Sequence, residues 1–272
     1  VFIIYNDYNF EGVLKVAKST IFAIPAFDDN YIWCLHDDKH AIVVDPGEAS
    51  PVISTLEEKQ LTLTNILITH HHYDHTGGIK DLIEAYPNAV VYGPKNPKID
   101  GINHYLSDGD KVSLLSPKIE LQILETPGHT MDHIVYFNED ILFCGDTLFS
   151  AGCGRMFEGT PDVFHNSLQK LARLPDKTKV YCTHEYTLAN LAFAVHVDPN
   201  NQALSEYHEW AKAKRNNSQI TLPSTIAEQN SINPFLRSND PVLKQNIEKI
   251  MNLSTQSDVE VFAALRSCKD NF

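Results

Sequence analysis

Residues 69–75 read Thr-His-His-His-Tyr-Asp-His and follow directly on the apolar run Asn65-Ile-Leu-Ile-Thr69. Imidazole and carboxylate groups are ligands for divalent cations. In an extended chain alternate side chains share a face, so His70 and His72 point together and His71 points away. Asp74 and His75 follow on the turn. Four such groups at one strand end supply parts of two metal sites, provided that other strand ends bring the remaining ligands. Three residues stand in that setting. His129 sits in Thr-Pro-Gly-His-Thr after the strand-like 119–124, Asp146 in Phe-Cys-Gly-Asp-Thr after 141–144, and His184 in Tyr-Cys-Thr-His-Glu after 179–183. A lone His or Asp in such a place is ordinarily a turn or capping residue. It is their recurrence beside the 69–75 run that points to a metal centre, at strand ends where loops carry chemistry on a rigid sheet. His36, His40, His104, His165, His196 and His208 lack this context and read as ordinary histidines. His133 begins a strand near the site as a supporting or structural residue.

The stretches that carry these residues alternate. Strand-like runs at 20–25, 31–35, 41–45, 65–69, 89–93, 119–124, 133–137, 141–146 and 179–183 are rich in β-branched and aromatic residues. Helical spacing occupies 51–60, 77–86 and 161–174, the last with Pro161 suited to a first turn. This is an α/β pattern of packed sheets with helices outside. After His184 the chain reads as helices at 186–195, 204–215, 240–251 and 257–267, with Ser257 and Glu260 as a capping box. The division expected is 20–184 as catalytic domain and 185–272 as helical substrate-binding domain. Residues 1–19 stand apart as an N-terminal extension, a cloning remnant or a misassigned start.

Charge excludes one class of partner. Lys plus Arg number 22 against 35 Asp plus Glu, a formal net charge of -13, and a nucleic-acid binder carries a basic face instead. An anionic small substrate must then meet a local cationic pocket. The cysteines, Cys34, Cys144, Cys153, Cys182 and Cys268, are odd in number and form no CxxC pair, so they read as reduced thiols. No apolar run spans a bilayer and no secretory leader is recognisable. A cytoplasmic monomer acting on a small molecule, with neither nucleic acid nor membrane as partner, is expected.

The pattern HxHxDH followed by His, Asp and His resembles the metallo-β-lactamase superfamily. That resemblance implies an αββα sandwich with two metals at one sheet edge. It implies one site of His70, His72 and His129, a second of Asp74, His75 and His184, and Asp146 bridging both. Outside the ligands, residues 26–33, 149–160, 183–187, 231–237 and 265–272 resemble the glyoxalase II (hydroxyacylglutathione hydrolase) family, from about residue 20 to the end. This implies a dinuclear metal thioesterase that converts S-D-lactoylglutathione to D-lactate and glutathione. Its attacking hydroxide would bridge two divalent metals at Asp74 and Asp146, with zinc foremost and iron or manganese as alternatives. The same likeness implies glutathione contacts from Arg155, Phe157, Tyr186, Arg266 and Lys269. Arg and Lys suit its two carboxylates, although spacing alone would read Arg266 and Lys269 as a basic helix end. Two positions depart from the family: Phe157 stands where some members have Tyr, and Asp132 where many have Gly. Cys153, beside Arg155, reads as a small residue in a tight glycine loop and not as a nucleophile.

Three rivals remain at this level. A mononuclear iron glutathione persulfide dioxygenase of the same superfamily would need one iron and would leave Asp74, His75 and His184 without a role. A nuclease is disfavoured by the acidic charge. A binding module that kept the fold but lost activity would show a broken ligand set, whereas all seven positions are filled.

Overall fold

The computed structural model describes residues 19–272, so the segment 1–19 lies outside the described residues except for Ser19. The chain opens with β1 (Thr20–Ala26), β2 (Asn30–His36), β3 (His40–Val44), α1 (Ser50–Glu58) and β4 (Thr62–Leu67). It continues through α2 (Tyr73–Thr76), α3 (Ile79–Ala85), β5 (Val90–Pro94) and β6 (His104–Leu106). The six strands form one sheet in sequence order. Its central strands β2, β3 and β4 are largely buried on both faces, and alternation sorts their side chains between two cores. Tyr31, Trp33, Leu35, Ile42 and Val44 face the space between the sheets. Ile32, Cys34, Ala41 and Val43 face the outer layer with Val52 and Leu56 of α1 and Ile79 and Leu82 of α3.

The second half runs β7 (Lys111–Leu115), β8 (Lys118–Glu125), β9 (Ile134–Phe137), β10 (Ile141–Gly145), β11 (Leu148–Phe149), β12 (Gly152–Cys153), α4 (Pro161–Ala172) and β13 (Lys179–Cys182). Then come α5 (Thr187–Val197), α6 (Gln202–Asn216), β14 (Ser224–Thr225), α7 (Ile226–Ile232), α8 (Pro241–Met251) and α9 (Asp258–Asp270). The second sheet has the order β14-β13-β10-β9-β8-β7. The sheets meet through apolar side chains such as Leu121, Ile123, Tyr136 and Phe143. Trp33 packs edge-on against Tyr181 at 4.9 Å and donates to the Cys182 carbonyl at 2.9 Å, so its polar tip is satisfied while its body fills the interior. Phe164, Leu168 and Leu171 of α4 and Phe262 and Leu265 of α9 belong to the same core. The architecture is the expected α/β sandwich with a helical C-terminal part.

That C-terminal part is sewn to the sandwich by polar side chains as well as by packing. Asn233 donates to the carbonyls of Phe149 and Gly152 at 3.2 and 2.8 Å. Gln229 accepts from the Ala151 amide at 2.8 Å, and Asn190 donates to the Ser150 carbonyl at 3.1 Å. The β11–β12 hairpin, too short to hold itself, is thereby fixed by three buried amides. The conjunction of the 149–160 and 231–237 motifs has a physical reason: the second pins the first.

Several boundaries differ from the sequence reading. Strand β4 ends at Leu67, not Thr69, and β3 ends at Val44, with Asp45 turning into a left-handed conformation at φ 52°. Strands β6, β7, β11, β12 and β14 went unread, being short or flanked by turns. Ser257 does accept from the Glu260 amide, but the Glu260 carboxylate reaches the Gln256 amide, not that of Ser257. A complete capping box lies instead at Thr225 and Glu228, starting α7.

Candidate metal centre

The loops after β4, β8, β10 and β13 converge. After β4 the chain leaves the sheet, and Thr69 is gripped by the Asp45 carboxylate through its amide at 2.7 Å and its hydroxyl at 2.8 Å. His70 and His72 therefore project from a held loop, not from a strand, and His72 caps α2. Helix α2 carries Asp74 and His75. Asp146 follows Gly145, whose φ of 47° and closeness to Thr69 and His133 exclude a side chain. At Gly154 a Cβ would lie 2.9 Å from His129 Nδ1 and would also strike the Asp146 carbonyl, so the glycine loop can approach the centre only without side chains.

Two triads result. In the first, His72 Nδ1 lies 3.0 Å from His70 Nε2 and 3.0 Å from His129 Nε2. In the second, Asp74 Oδ2 lies 3.5 Å from His75 Nε2 and 3.4 Å from His184 Nε2. Asp146 stands between them. Its Oδ2 is 3.5 Å from His129 Nε2, and its Oδ1 is 3.4 Å from both His75 Nε2 and His184 Nε2. Ligand atoms lie within 4.8 Å of one another in the sets His70–His72–His129, Asp74–His75–His184 and His70–His75–Asp146.

The outer partners decide which ring nitrogen faces inward. His129 Nδ1 lies 2.7 Å from the Arg155 carbonyl; a carbonyl only accepts, so Nδ1 carries the proton and Nε2 offers its lone pair. His184 Nδ1 lies 2.7 Å from Asp29 Oδ1, with the same consequence, whereas His75 Nδ1 lies at ion-pair distance from Asp45 Oδ2, 3.0 Å, without hydrogen-bond alignment. His133 accepts from the Asp146 amide at 3.1 Å and stacks on His70 at 4.7 Å, so it supports the centre from behind. Burial drives its pKa down to about 3, helped by His129.

Electrostatics separates the triads. Burial, with His75 and His133 nearby, pushes His70 well below the usual imidazole range. Burial likewise lowers His129 and His72. For His75 and His184 burial also opposes charge, but the facing carboxylates outweigh it. Asp146 and Asp45 hold His75 well above the usual range, and Asp146 and Asp74 raise His184 to about 10. Burial would raise Asp146 and Asp74, yet their histidine neighbours hold both well below the ordinary carboxylate range. The carboxylates thus draw positive charge into the second triad, where a cation would take the place of the protons on His75 and His184. His75 Nε2 and Asp146 Oδ1 are buried without a hydrogen-bond partner. Orphaned groups of this kind are rare in proteins, and a cation would satisfy both. The His/Asp clusters fit a metal site.

His71, turned away, meets Asp132 at 2.9 Å, and Asn96 donates to the other Asp132 oxygen at 2.8 Å. The departure at Asp132 is therefore an acceptor that fixes the middle histidine of the motif. Burial opposes its ionisation, but the His71 hydrogen bond outweighs it and lowers the pKa.

The residues implied for glutathione form a ledge beside the centre. Phe157 is 61% exposed and sets its ring edge-to-face on His129 and His72. Tyr186 stacks on His184 at 4.6 Å and 4°; burial, with Asp29 and other carboxylates, keeps its phenol protonated. Asp270 ties Arg155 at 3.7 Å to Arg266 at 2.9 Å. Arg155 is open to solvent. Arg266 is buried, and its guanidinium donates to the Cys153 and Gly154 carbonyls at 3.2 and 3.5 Å. Lys269 donates to the Ala189 carbonyl at 3.1 Å, and burial, with Arg266 beside it, lowers its pKa. Cys153 lies beneath this ledge; burial raises its thiol to about 11 against the opposing pull of Arg266, which disarms it as a nucleophile. The five cysteines are all free and buried. Among the described residues no helix is long and apolar enough to cross a membrane.

Sequence reasoning missed Asp29, Asn30 and Asp45, which back the second triad and its loop. An aspartate directly after the wholly apolar run 41–44 was the available signal for Asp45.

Comparison with known proteins agrees with this geometry. The metallo-beta-lactamase superfamily profile matches residues 27–184, and the profile described as hydroxyacylglutathione hydrolase C-terminus matches residues 185–272. The hydroxyacylglutathione hydrolase of Shewanella baltica is 53% identical over 262 residues, covering 93% of this chain and 99% of the relative. That of Aliivibrio salmonicida is 51% identical over 251 residues, covering 92% and 98%. The crystal structure of ETHE1 from Myxococcus xanthus superposes with a TM-score of 0.61 at 25% identity, covering 93% and 99%. With seven ligand-type residues gathered beyond strand ends of both sheets and the two profiles matched in succession over residues 27–184 and 185–272, the chain belongs to the hydroxyacylglutathione hydrolase (glyoxalase II) family of the metallo-beta-lactamase superfamily.

Proposed function

We propose that the chain hydrolyses S-D-lactoylglutathione to D-lactate and glutathione at a centre of two divalent cations. The observation that carries this reading is the Asp146 carboxylate, which turns one oxygen to each of two complete triads. His70, His72 and His129 would hold one cation, Asp74, His75 and His184 the other, and Asp146 both. Mixed imidazole and carboxylate donors suit zinc, with iron and manganese as alternatives. When bound, such ions lower the pKa of water and polarise a carbonyl oxygen.

The chain's own residues do the rest. Outer partners fix the ring tautomers in advance, so the centre needs no rearrangement as charge develops. Arg155 and Lys269 would receive glutathione carboxylates, with Arg266 beneath them holding the Cys153–Gly154 backbone that forms the ledge. Phe157 would pack on the peptide, and the protonated Tyr186 phenol would donate to it. A bond would form between water oxygen and the acyl carbon, the carbon–sulfur bond would break with its electron pair leaving on sulfur, and the proton given up by the water would pass to solvent or to the departing thiolate. The thiol so released has a pKa of about 8.5, so no general acid is required. Residues 185–272 would act as the substrate-binding part, since Tyr186, Arg266 and Lys269 all come from it.

The complete second triad favours this reading over a one-iron persulfide dioxygenase. The test is to assay both reactions on one metal-analysed sample. Loss of thioester absorbance with S-D-lactoylglutathione is expected, without oxygen uptake on glutathione persulfide. Oxygen uptake with one iron per chain and no hydrolysis would overturn the proposal.

A further inference from the structure

The two triads differ in what stands behind their imidazoles. In the first, His70 Nδ1 meets the Thr69 hydroxyl at 3.1 Å, and His129 Nδ1 meets the Arg155 carbonyl at 2.7 Å. Both partners are neutral. In the second, His184 Nδ1 meets a carboxylate, Asp29 Oδ1, at 2.7 Å. Asp29 lies in the turn between β1 and β2, far from His184 in sequence, and the backbone welds the two together. The Glu185 amide donates to the Asp29 carbonyl at 2.9 Å, and Asn30 bridges His184. The next side chain, Asn30 at the start of β2, reaches another member of the same triad: its Nδ2 donates to Asp74 Oδ2 at 3.1 Å. The turn itself is tethered, since Phe27 holds φ 49° and its amide donates to Glu48 at 2.8 Å. The turn and the first residue of β2 therefore brace two of the three residues of the second triad and touch none of the first.

We infer that Asp29 is a positioning residue that selectively strengthens the hold of the second triad on its cation, with Asn30 aligning Asp74 beside it. This rests on the two-cation reading above. A carboxylate behind a ligating imidazole fixes its tautomer, orients its ring and raises its basicity, and losing such a partner typically costs about 10- to 100-fold in metal affinity. The Asp29 side chain is 39% exposed, so its replacement leaves no unpaired charge in the interior.

The test uses the full-length chain with zinc as probe, in competition with chelators of graded affinity. For Asp29→Asn one zinc is expected to stay within about three-fold of wild type while the other weakens about 10- to 100-fold. Asp29→Glu should recover part of the loss, and Asp28→Asn, on the exposed neighbour, should match wild type. Equal thermal midpoints for the chelated Asp29→Asn and wild-type chains would separate this from loss of folding. Two zincs held by Asp29→Asn as tightly as by wild type, or both weakened alike, would overturn the inference. A wild-type chain that takes up no zinc would overturn the two-cation reading itself, and this inference with it.

Discussion

Around the candidate metal centre most side chains are buried, and several are held from behind: His70 on Thr69, His129 on the Arg155 carbonyl, His184 on Asp29, and the half-buried His71 on Asp132. On the neighbouring ledge Arg155 and Phe157 reach into solvent, while the buried Arg266 is committed to backbone carbonyls and Asp270. The two regions share one loop, residues 152–157, yet follow different rules. A metal centre needs lone pairs fixed to within fractions of an ångström, which burial and outer hydrogen bonds provide. A ledge for a flexible tripeptide needs charges of the right sign within reach, and long solvated side chains provide that. Substitutions in the first region should strike turnover and metal content together, and those in the second should strike KM.

The largest expected effect is at Asp146. Asp146→Asn leaves a neutral amide facing both triads, and kcat/KM should fall by more than the roughly 100-fold associated with losing an outer partner. Metal per chain should drop as well. Full activity with altered KM alone would erase the distinction between the regions.

On the ledge, Arg155→Ala should raise KM for the glutathione thioester about ten-fold with kcat within about two-fold, the signature of lost uniform binding. A fall in kcat at constant KM would place Arg155 with the centre. Phe157→Tyr supplies the hydroxyl that some family members carry. It should lower KM by about two- to five-fold, in line with one hydrogen bond of about 1 kcal/mol, and leave the metal content unchanged.

The smallest effect concerns the footing of the ledge. His165 of α4 lies against Phe262 of α9 and bonds Ser238 at 2.9 Å, and burial lowers its pKa below 6.5. A histidine held neutral by folding contributes stability that is present above its unfolded pKa. That contribution is lost as pH falls from there toward the folded pKa, because the unfolded chain binds the proton first. Wild type should therefore lose more stability between pH 8 and pH 5.5 than His165→Gln does. Equal losses in urea unfolding would remove His165 from the account.

The same contrast explains what could be read without coordinates. The candidate centre was legible because four of its residues fall within 70–75 and the other three each follow a strand-like run. The strands that deliver them, such as β10 and β13, are continuous apolar runs. Of the outer partners only Asp45 carried a signal, at the end of an apolar run; Asp29 meets His184 only once the sheet has folded, and a single aspartate in a turn carries no spacing signal. The ledge was visible only through family likeness, because Arg155, Tyr186, Arg266 and Lys269 come from three separate stretches. Even then the burial of Arg266 could not be foreseen, since it depends on α9 docking over the Cys153 loop. Short strands such as β11, β12 and β14 escaped because their stability lies in partners like Asn233 and Gln229, not in their own pattern.

The most direct measurement is a metal reconstitution titration of the chelated, full-length chain, following hydrolysis of S-D-lactoylglutathione. Activity should rise with added zinc and level off at about two equivalents per chain. Two equivalents bound with no hydrolysis of the thioester would contradict the account.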